Sequence, residues 1–235
     1  MGGVRAMRAL RILLIVAVVL GGIFVGVDRL AVGYAESEAA DRVRLGPARA
    51  GSTDVDIKGF PFLTQLMDKR FDEVDVVLTG VEATAGKRKI RISEMSATLH
   101  DVTLNGDSTG ARAATADGTA LISYADLTAA AERDVRIAYG GNGKVKVTGG
   151  IQILGRTVTR SVLSTVTLVD GHTIRVRADE VPGEGIPGVE QLVRQRTDFD
   201  RRIGGLPTGM KLEKVEARED GVAITVTGKD VVLAG

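Results

Sequence analysis

Lys89-Ile90-Arg91-Ile92-Ser93-Glu94-Met95-Ser96-Ala97-Thr98-Leu99-His100-Asp101-Val102-Thr103-Leu104 reads as strand from end to end. Ile90 and Ile92 alternate with charged and polar neighbours, the period of a half-buried sheet rather than of a helix. Met95, Ala97 and Leu99 then share one parity, and Val102 and Leu104 the other. A bulge near His100 and Asp101 is expected where the facing resets.

Alternation extends to both sides of this stretch. Val55 and Ile57 stand among Asp54, Asp56 and Lys58, so the folded body is expected to begin near Thr53; Val74, Val76 and Leu78 follow. After Leu104, Asn105-Gly106 is a turn dipeptide, and strand-like sequence runs to Ile122. Ser123 with Asp126 has the form of a capping box, and it opens a short helix carrying Tyr124, Leu127 and Ala131 on one face. Val135–Tyr139, Lys144–Thr148, Ile151–Leu154, Val158–Val169 and Thr173–Ala178 are further strand candidates, with Asn142-Gly143 and Asp170-Gly171 as hairpin signals. Val189, Leu192, Val193, Phe199 and Ile203 fit a helix over Gly188–Ile203, and Met210–Ala217 and Val222–Val232 a closing hairpin around Asp220-Gly221. The expected class is α+β: a long, curved antiparallel sheet with a few short helices packed on one face or end.

Apolar residues make up 44% of the chain and aromatics only 3%, so the core must be built from Val, Leu, Ile and Ala. Cysteine is absent, which removes disulfides, thiolate nucleophiles and cysteine metal sites.

The N-terminus is of a different kind. Ile12 to Val27 is apolar or Gly throughout, preceded by Arg5, Arg8 and Arg11 and followed by Asp28 and Arg29. That charge placement predicts a cytoplasmic N-terminus and an exported body. About 16 helical residues span roughly 24 Å, short of about 30 Å of hydrocarbon, so a signal-peptide core and a short anchor both fit. Gly33 and Ala35 are small residues suited to a cleavage site after Ala35. Residues 1–27 are therefore read as signal peptide or anchor, 28–52 as a polar stalk with little to bury, and 53–235 as a single β-rich domain. Without the three leading arginines, 28 of the 31 basic residues face 30 acidic ones, a balance of −2. A nucleic-acid binder needs a concentrated basic surface instead.

Signals for chemistry are weak. His100 and His172 stand at predicted strands without a ligand pattern around them, and no H-E-x-x-H or G-x-S-x-G occurs. Gly183-Glu184-Gly185-Ile186-Pro187-Gly188 matches G-x-G-x-x-G. Glu184 brings negative charge to where a pyrophosphate would sit, Pro187 removes a donor, and antiparallel surroundings do not make a dinucleotide fold. Glu216 with Glu219, and Asp198 with Asp200, read as solvated carboxylates rather than an acid/base pair. Neither catalysis nor a cofactor is expected.

The apolar helices carry the remaining signal. Phe60, Phe62, Leu63, Leu66 and Met67 would line one side of a short helix opened by Pro61, at one end of the sheet. Ordinary core packing explains such a face, and so does an acyl-chain cavity; the two are compatible. Tyr124, Leu127, Leu192 and Phe199 complete the proposed lipid-binding set. Each buried CH₂ contributes about 0.8 kcal/mol, so part of one acyl chain supplies useful affinity without any catalytic group. Lys69, Arg70, Lys87, Arg88 and Arg194 are the cations available to a phosphate.

The basic N-terminus, single apolar segment and Val55-Asp56-Ile57-Lys58-Gly59-Phe60-Pro61-Phe62-Leu63-Thr64-Gln65 resemble the actinobacterial LmeA-like phospholipid-binding proteins. Leu206-Pro207-x-Gly209 before a closing hairpin is similar to that family's C-terminal end. The 22 Arg to 9 Lys balance is compatible with a high-GC actinobacterium. The resemblance covers roughly residues 28–235. It implies a non-enzymatic, phospholipid-binding cell-envelope protein on the outer side of the cytoplasmic membrane, supporting envelope lipid or lipoglycan maturation. The alternative is a membrane-anchored structural or interaction protein without a lipid cavity.

Overall fold

The computed structural model describes residues 3–42, 50–85, 88–106, 110–131, 135–153, 156–179, 191, 194, 197–203 and 206–233. It opens with helix α1, Gly3–Arg42. Six strands then form one antiparallel sheet in the order β1 (Ser52–Lys58), β2 (Arg70–Ala85), β3 (Arg88–Leu104), β4 (Ala111–Ser123), β11 (Gly221–Leu233), β10 (Thr208–Ala217). Between β4 and β10 the chain leaves to build a second antiparallel sheet, β5 (Val135–Gly141), β6 (Lys144–Ile153), β7 (Arg156–Val169), β8 (Thr173–Ala178) and β9 (Phe199–Arg202), in sequence order. The expected antiparallel α+β class is present, with its strands divided over two sheets. Short helices α2 (Phe62–Asp68) and α3 (Tyr124–Ala130) follow β1 and β4.

The parity change at Asp101 is real, and four strands share it. The row Glu73, His100, Thr115, Lys229 and the row Phe71, Val102, Ala113, Val231 lie on one unbroken register. Between the rows stand Asp72, Asp101, Ala114 and Asp230, and Asp101 and Asp230 adopt positive φ of 49° and 50°. Leu99 and Ala116 are buried before this crease, and Phe71, Val102, Ala113 and Val231 after it, all in one cluster with Phe62. An extra residue on one strand alone would shift its register against its partners. Here every strand resets its facing at the same level, so pairing continues while the sheet end folds around α2.

Ser123 caps α3: its hydroxyl accepts from the Asp126 amide at 3.1 Å and donates to the Asp126 carboxylate at 2.7 Å, while its own amide, which a full capping box would give to Asp126, donates to the Ser93 hydroxyl at 3.2 Å. Asn142-Gly143 and Asp170-Gly171 turn the two hairpins with both residues at positive φ, the form whose twist matches the strands it joins. The helix expected over Gly188–Ile203 stops short of its predicted end. Phe199–Arg202 is instead an edge strand, where Phe199 pairs with Val176 and Asp200 with Arg175. Asp200 is held by both Arg175 and Arg177, a cross-strand charge match that helical periodicity could not register. Much of the remaining predicted helix, including Leu192, and the Gly183–Gly188 stretch lie outside the described residues.

The two sheets meet at β10. Leu212 and Val215 of the first sheet pack with Ile174 of the second, flanked by Val166, Leu168, Ile203, Leu206, Val222, Ile224 and Val226. The two apolar faces therefore share this junction.

Candidate functional site

The Gly59–Gln65 stretch folds into a compact turn whose parts can be read one by one. Gly59 has φ of +98°, and a Cβ there would come within 2.5 Å of the Gln65 amide nitrogen, so only glycine fits. Gln65 accepts from the Asp72 amide at 2.9 Å and donates to the Lys58 carbonyl at 3.3 Å, clamping β1 to β2. The Phe60-Pro61 bond is cis. Phe62 is 1% exposed and stacks on Phe71 with ring centroids 6.1 Å apart.

Helix α2 begins without a capping side chain of its own, because Pro61 occupies the N-cap position. The missing acceptor comes from 35 residues away: Asp28 of α1 is fully buried, and its Oδ1 accepts from the Leu63 amide at 2.9 Å. Around it, Val32 is buried in the Phe62–Phe71 cluster, and Glu36 accepts from the Ile57 amide at 2.8 Å. The segment expected to have little to bury thus docks on the sheet along Asp28–Glu36. No local sequence pattern announces so distant a cap; the signal was the helix start at Pro61 with no Ser, Thr, Asp or Asn before it.

The rest of the turn is exposed. Phe60, Leu66 and Met67 are 55%, 44% and 85% accessible. Phe60 meets Phe24 of α1 edge-on at 6.4 Å, and the Arg29 guanidinium lies 5.3 Å above its ring. Of the nine expected lipid-binding residues, Phe60, Phe62, Leu63, Leu66 and Met67 are brought together here. Tyr124 and Leu127 are not with them. Their helix α3 is tied to Ser93 through Asp126, whereas α2 adjoins Leu104, whose amide donates to the Lys69 carbonyl. Along β3 these levels are eleven residue steps apart, about 36 Å at 3.3 Å each. Phe199 lies on β9 in the second sheet.

Tyr124 joins the two sheets, donating to the Arg218 carbonyl at 2.7 Å and lying beside Tyr139 at 6.5 Å. Burial first, then Tyr139 and Asp220, push its pKa up to about 12. Deeper in the second sheet, Val145, Ser164 and Ala178 form one buried row across β6, β7 and β8. Ser164 is wholly inaccessible, and its hydroxyl has no hydrogen-bond partner among the described residues. Sequence reading passed over it as one more small strand residue.

Other polar groups are accounted for. His100 faces Glu73 at 3.3 Å, and His172 contacts the Asp170 carbonyl. Among the described residues no cluster of three metal-ligating side chains occurs. Hydrogen bonds from Arg175 hold Asp200 below its ordinary carboxylate range, and Lys214 and Arg218 do the same for Glu216. Asp198 accepts from the Ala178 amide at 2.9 Å. These carboxylates are placed to fix strands. A hollow of about 180 Å³ lies over Ser96, Thr98, Asp117, Gly118, Thr119 and Thr225; its size and hydroxyl-rich walls do not suit an acyl chain, since ligand pockets run to about 300–1,000 Å³ and are mostly apolar.

A protein-family model described as LmeA-like phospholipid-binding matches residues 26–227. No curated protein and no solved structure matches the chain.

Proposed function

Because this chain belongs to the LmeA-like phospholipid-binding family, we propose that it holds a phospholipid acyl chain against the apolar inner faces of its two sheets, as a non-enzymatic protein of the cell envelope. The observation that carries this reading is Ser164. A buried hydroxyl without a partner costs about 1–3 kcal/mol, and native folds rarely leave one unexplained. On an apolar sheet face it is the kind of group that an ester carbonyl of a lipid would satisfy. In this reading Tyr124 and Leu127 of α3, with Phe199 and Leu192 from the chain segment following β8, would line the rest of the site, and the α2 residues would provide an apolar approach at the membrane end.

Residues 12–27 anchor the protein, with the basic N-terminus in the cytoplasm and the sheets outside. Retention of the anchor follows from Asp28 and Val32, which are parts of the folded body: cleavage after Ala35 would remove the cap of α2 and a core side chain together. Mass measurement on protein from membranes is expected to find residues 12–35 still joined to the domain. A mature chain starting at Glu36 overturns the anchor.

Lipid binding is tested on the full chain in detergent, washed by detergent exchange, with bound lipid identified by mass spectrometry. Ser164→Leu replaces the hydroxyl with a bulkier apolar group and leaves α1 untouched, so lipid merely surrounding the anchor is common to both proteins. Wild type should retain about one phospholipid more than the variant, with Ser164→Ala intermediate. Equal retention in folded proteins overturns the binding site and favours a structural or interaction role for the domain.

A further inference from the structure

The depth of the α2 turn relative to α1 points to a second contact with the membrane. Phe60 touches Phe24, a residue inside the apolar run, three positions before its end at Val27. At 1.5 Å per residue this sets Phe60 about 5 Å below the last apolar residue of the run. Phe24 and Val27 are themselves open, at 43% and 50% accessibility. Whatever medium surrounds the end of the helix therefore surrounds Phe60 too.

Charge is arranged to match. Asp28, which would end the run, is completely covered by the α2 turn. Arg29 lies back over the Phe60 ring with its guanidinium 3.4 Å from the Gly59 carbonyl, the posture of a cation that keeps its stem in apolar surroundings and its head at an interface. On the opposite side of α1, Leu30 and Tyr34 remain exposed, one turn apart on a single face. Along α1 exposed apolar residues run from Leu14 to Tyr34, about 30 Å, enough to cross the hydrocarbon and finish on a tyrosine at head-group level.

We propose that Phe60, Leu66 and Met67 insert into the outer leaflet of the bilayer that α1 spans, so that the domain rests on the membrane by its α2 end. The partner is a lipid surface because the exposed apolar side chains are continuous with the helix read as the anchor, and because the Arg29 guanidinium lies over the Phe60 ring while its ion-pair partner Asp28, at 3.2 Å, is fully buried. The docking depends on α1 being in the membrane and not on lipid being held between the sheets, so the two readings fail separately.

The chain has no cysteine, which makes single-site labelling clean. Met67→Cys and, as a distant control in a hairpin turn, Asn142→Cys carry an environment-sensitive fluorophore on the full chain, reconstituted in phosphatidylcholine–phosphatidylglycerol vesicles with or without nitroxide-labelled acyl chains. Met67 is the most exposed of the three residues, so its replacement spares the fold. The label at 67 is expected to shift to the blue and be quenched by the nitroxide chains, with neither effect at 142. Adding Phe60→Asp should return the label at 67 toward the aqueous signal while far-ultraviolet dichroism stays unchanged. A label at 67 that reports water and escapes quenching, like the one at 142, overturns the proposal.

Discussion

Replacing Phe62 with Ala should cost far more than any other apolar truncation in the α2 turn. The ring is 1% exposed, stacked on Phe71, and surrounded by Val32, Leu99, Val102 and Val231. A buried Phe removes about 150–250 Å² from water, which at about 25 cal/mol per Å² amounts to about 4–6 kcal/mol for the whole side chain. Alanine keeps part of that area, and core series place such truncations at about 3–5 kcal/mol. With an m-value of about 2.5 kcal/mol/M, a loss of about 4 kcal/mol moves the urea midpoint down by about 1.6 M. Met67→Ala, five residues further along α2, removes a side chain that is 85% exposed and should stay within about 0.5 kcal/mol. Urea titrations of the full chain in mild detergent, followed by far-ultraviolet dichroism, measure both. Equal shifts for the two variants, or a Phe62→Ala shift below about 0.4 M, would refute the placement of Phe62 as the keystone of this end of the sheet.

Three further outcomes are expected. Gly59→Ala forces a Cβ to within 2.5 Å of Gln65 and 2.9 Å of Asp72 at positive φ; a loss of about 1–3 kcal/mol, with faster amide exchange at Asp72, should follow, and unchanged exchange there would contradict the clamp. In acid, the lowered pKa of Asp200 means that its stabilising contribution is complete above the ordinary value near 3.9 and disappears as pH falls through the folded-state value. Wild type and Asp200→Asn should therefore converge in stability on acidification, and a gap that persists to the lowest pH argues against the Arg175–Asp200 linkage. In alkali the sign reverses: Tyr124, raised to about 12, stabilises the fold fully below its ordinary pKa of about 10 and loses that contribution as pH climbs toward the folded value. Phenolate absorbance should show a tyrosine ionising near 12 that is missing in Tyr124→Phe; an identical titration in the variant would place the shift elsewhere.

What sequence could and could not reveal divides along the range of the interactions. Alternation in Lys89–Leu104, the Asn142-Gly143 and Asp170-Gly171 hairpins and the Ser123 N-cap depend on neighbours a few residues apart, and each is present. The parity break at Asp101 was visible as well, but a single strand cannot show that its three neighbours break at the same level. The partition into two sheets was hidden because both are built from the same Val- and Thr-rich alternation, and only pairing decides membership. β9 read as helix since Phe199 and Ile203 are four apart, while the Arg175–Asp200 match that holds it as strand crosses 25 residues. Asp28 and Ser164 were illegible for the same reason: one acts on an amide 35 residues distant, and the other is conspicuous only once its burial and lack of a partner are known.

The α2 turn lies where these long-range contacts converge. Its N-terminus is capped from α1, Phe62 and Leu63 close the creased end of four strands, its glutamine clamps β1 to β2, and Phe60, Leu66 and Met67 stay exposed. A turn built only to finish a core would bury Met67 and Phe60 or replace them with polar residues, because exposed large apolar groups gain nothing from folding. The proposed contact with the membrane resolves that tension. If α1 spans the bilayer as proposed, its docking through buried Asp28 fixes the depth of Phe60, and depth determines whether the turn reaches the acyl chains. A flexible insertion between Val27 and Asp28 would lengthen the tether and release that depth, so vesicle quenching at residue 67 should fall even with α2 and the sheets intact. Undiminished quenching in that variant would show that the turn finds the bilayer by its own apolar surface, leaving the Asp28 joint a role in stability alone.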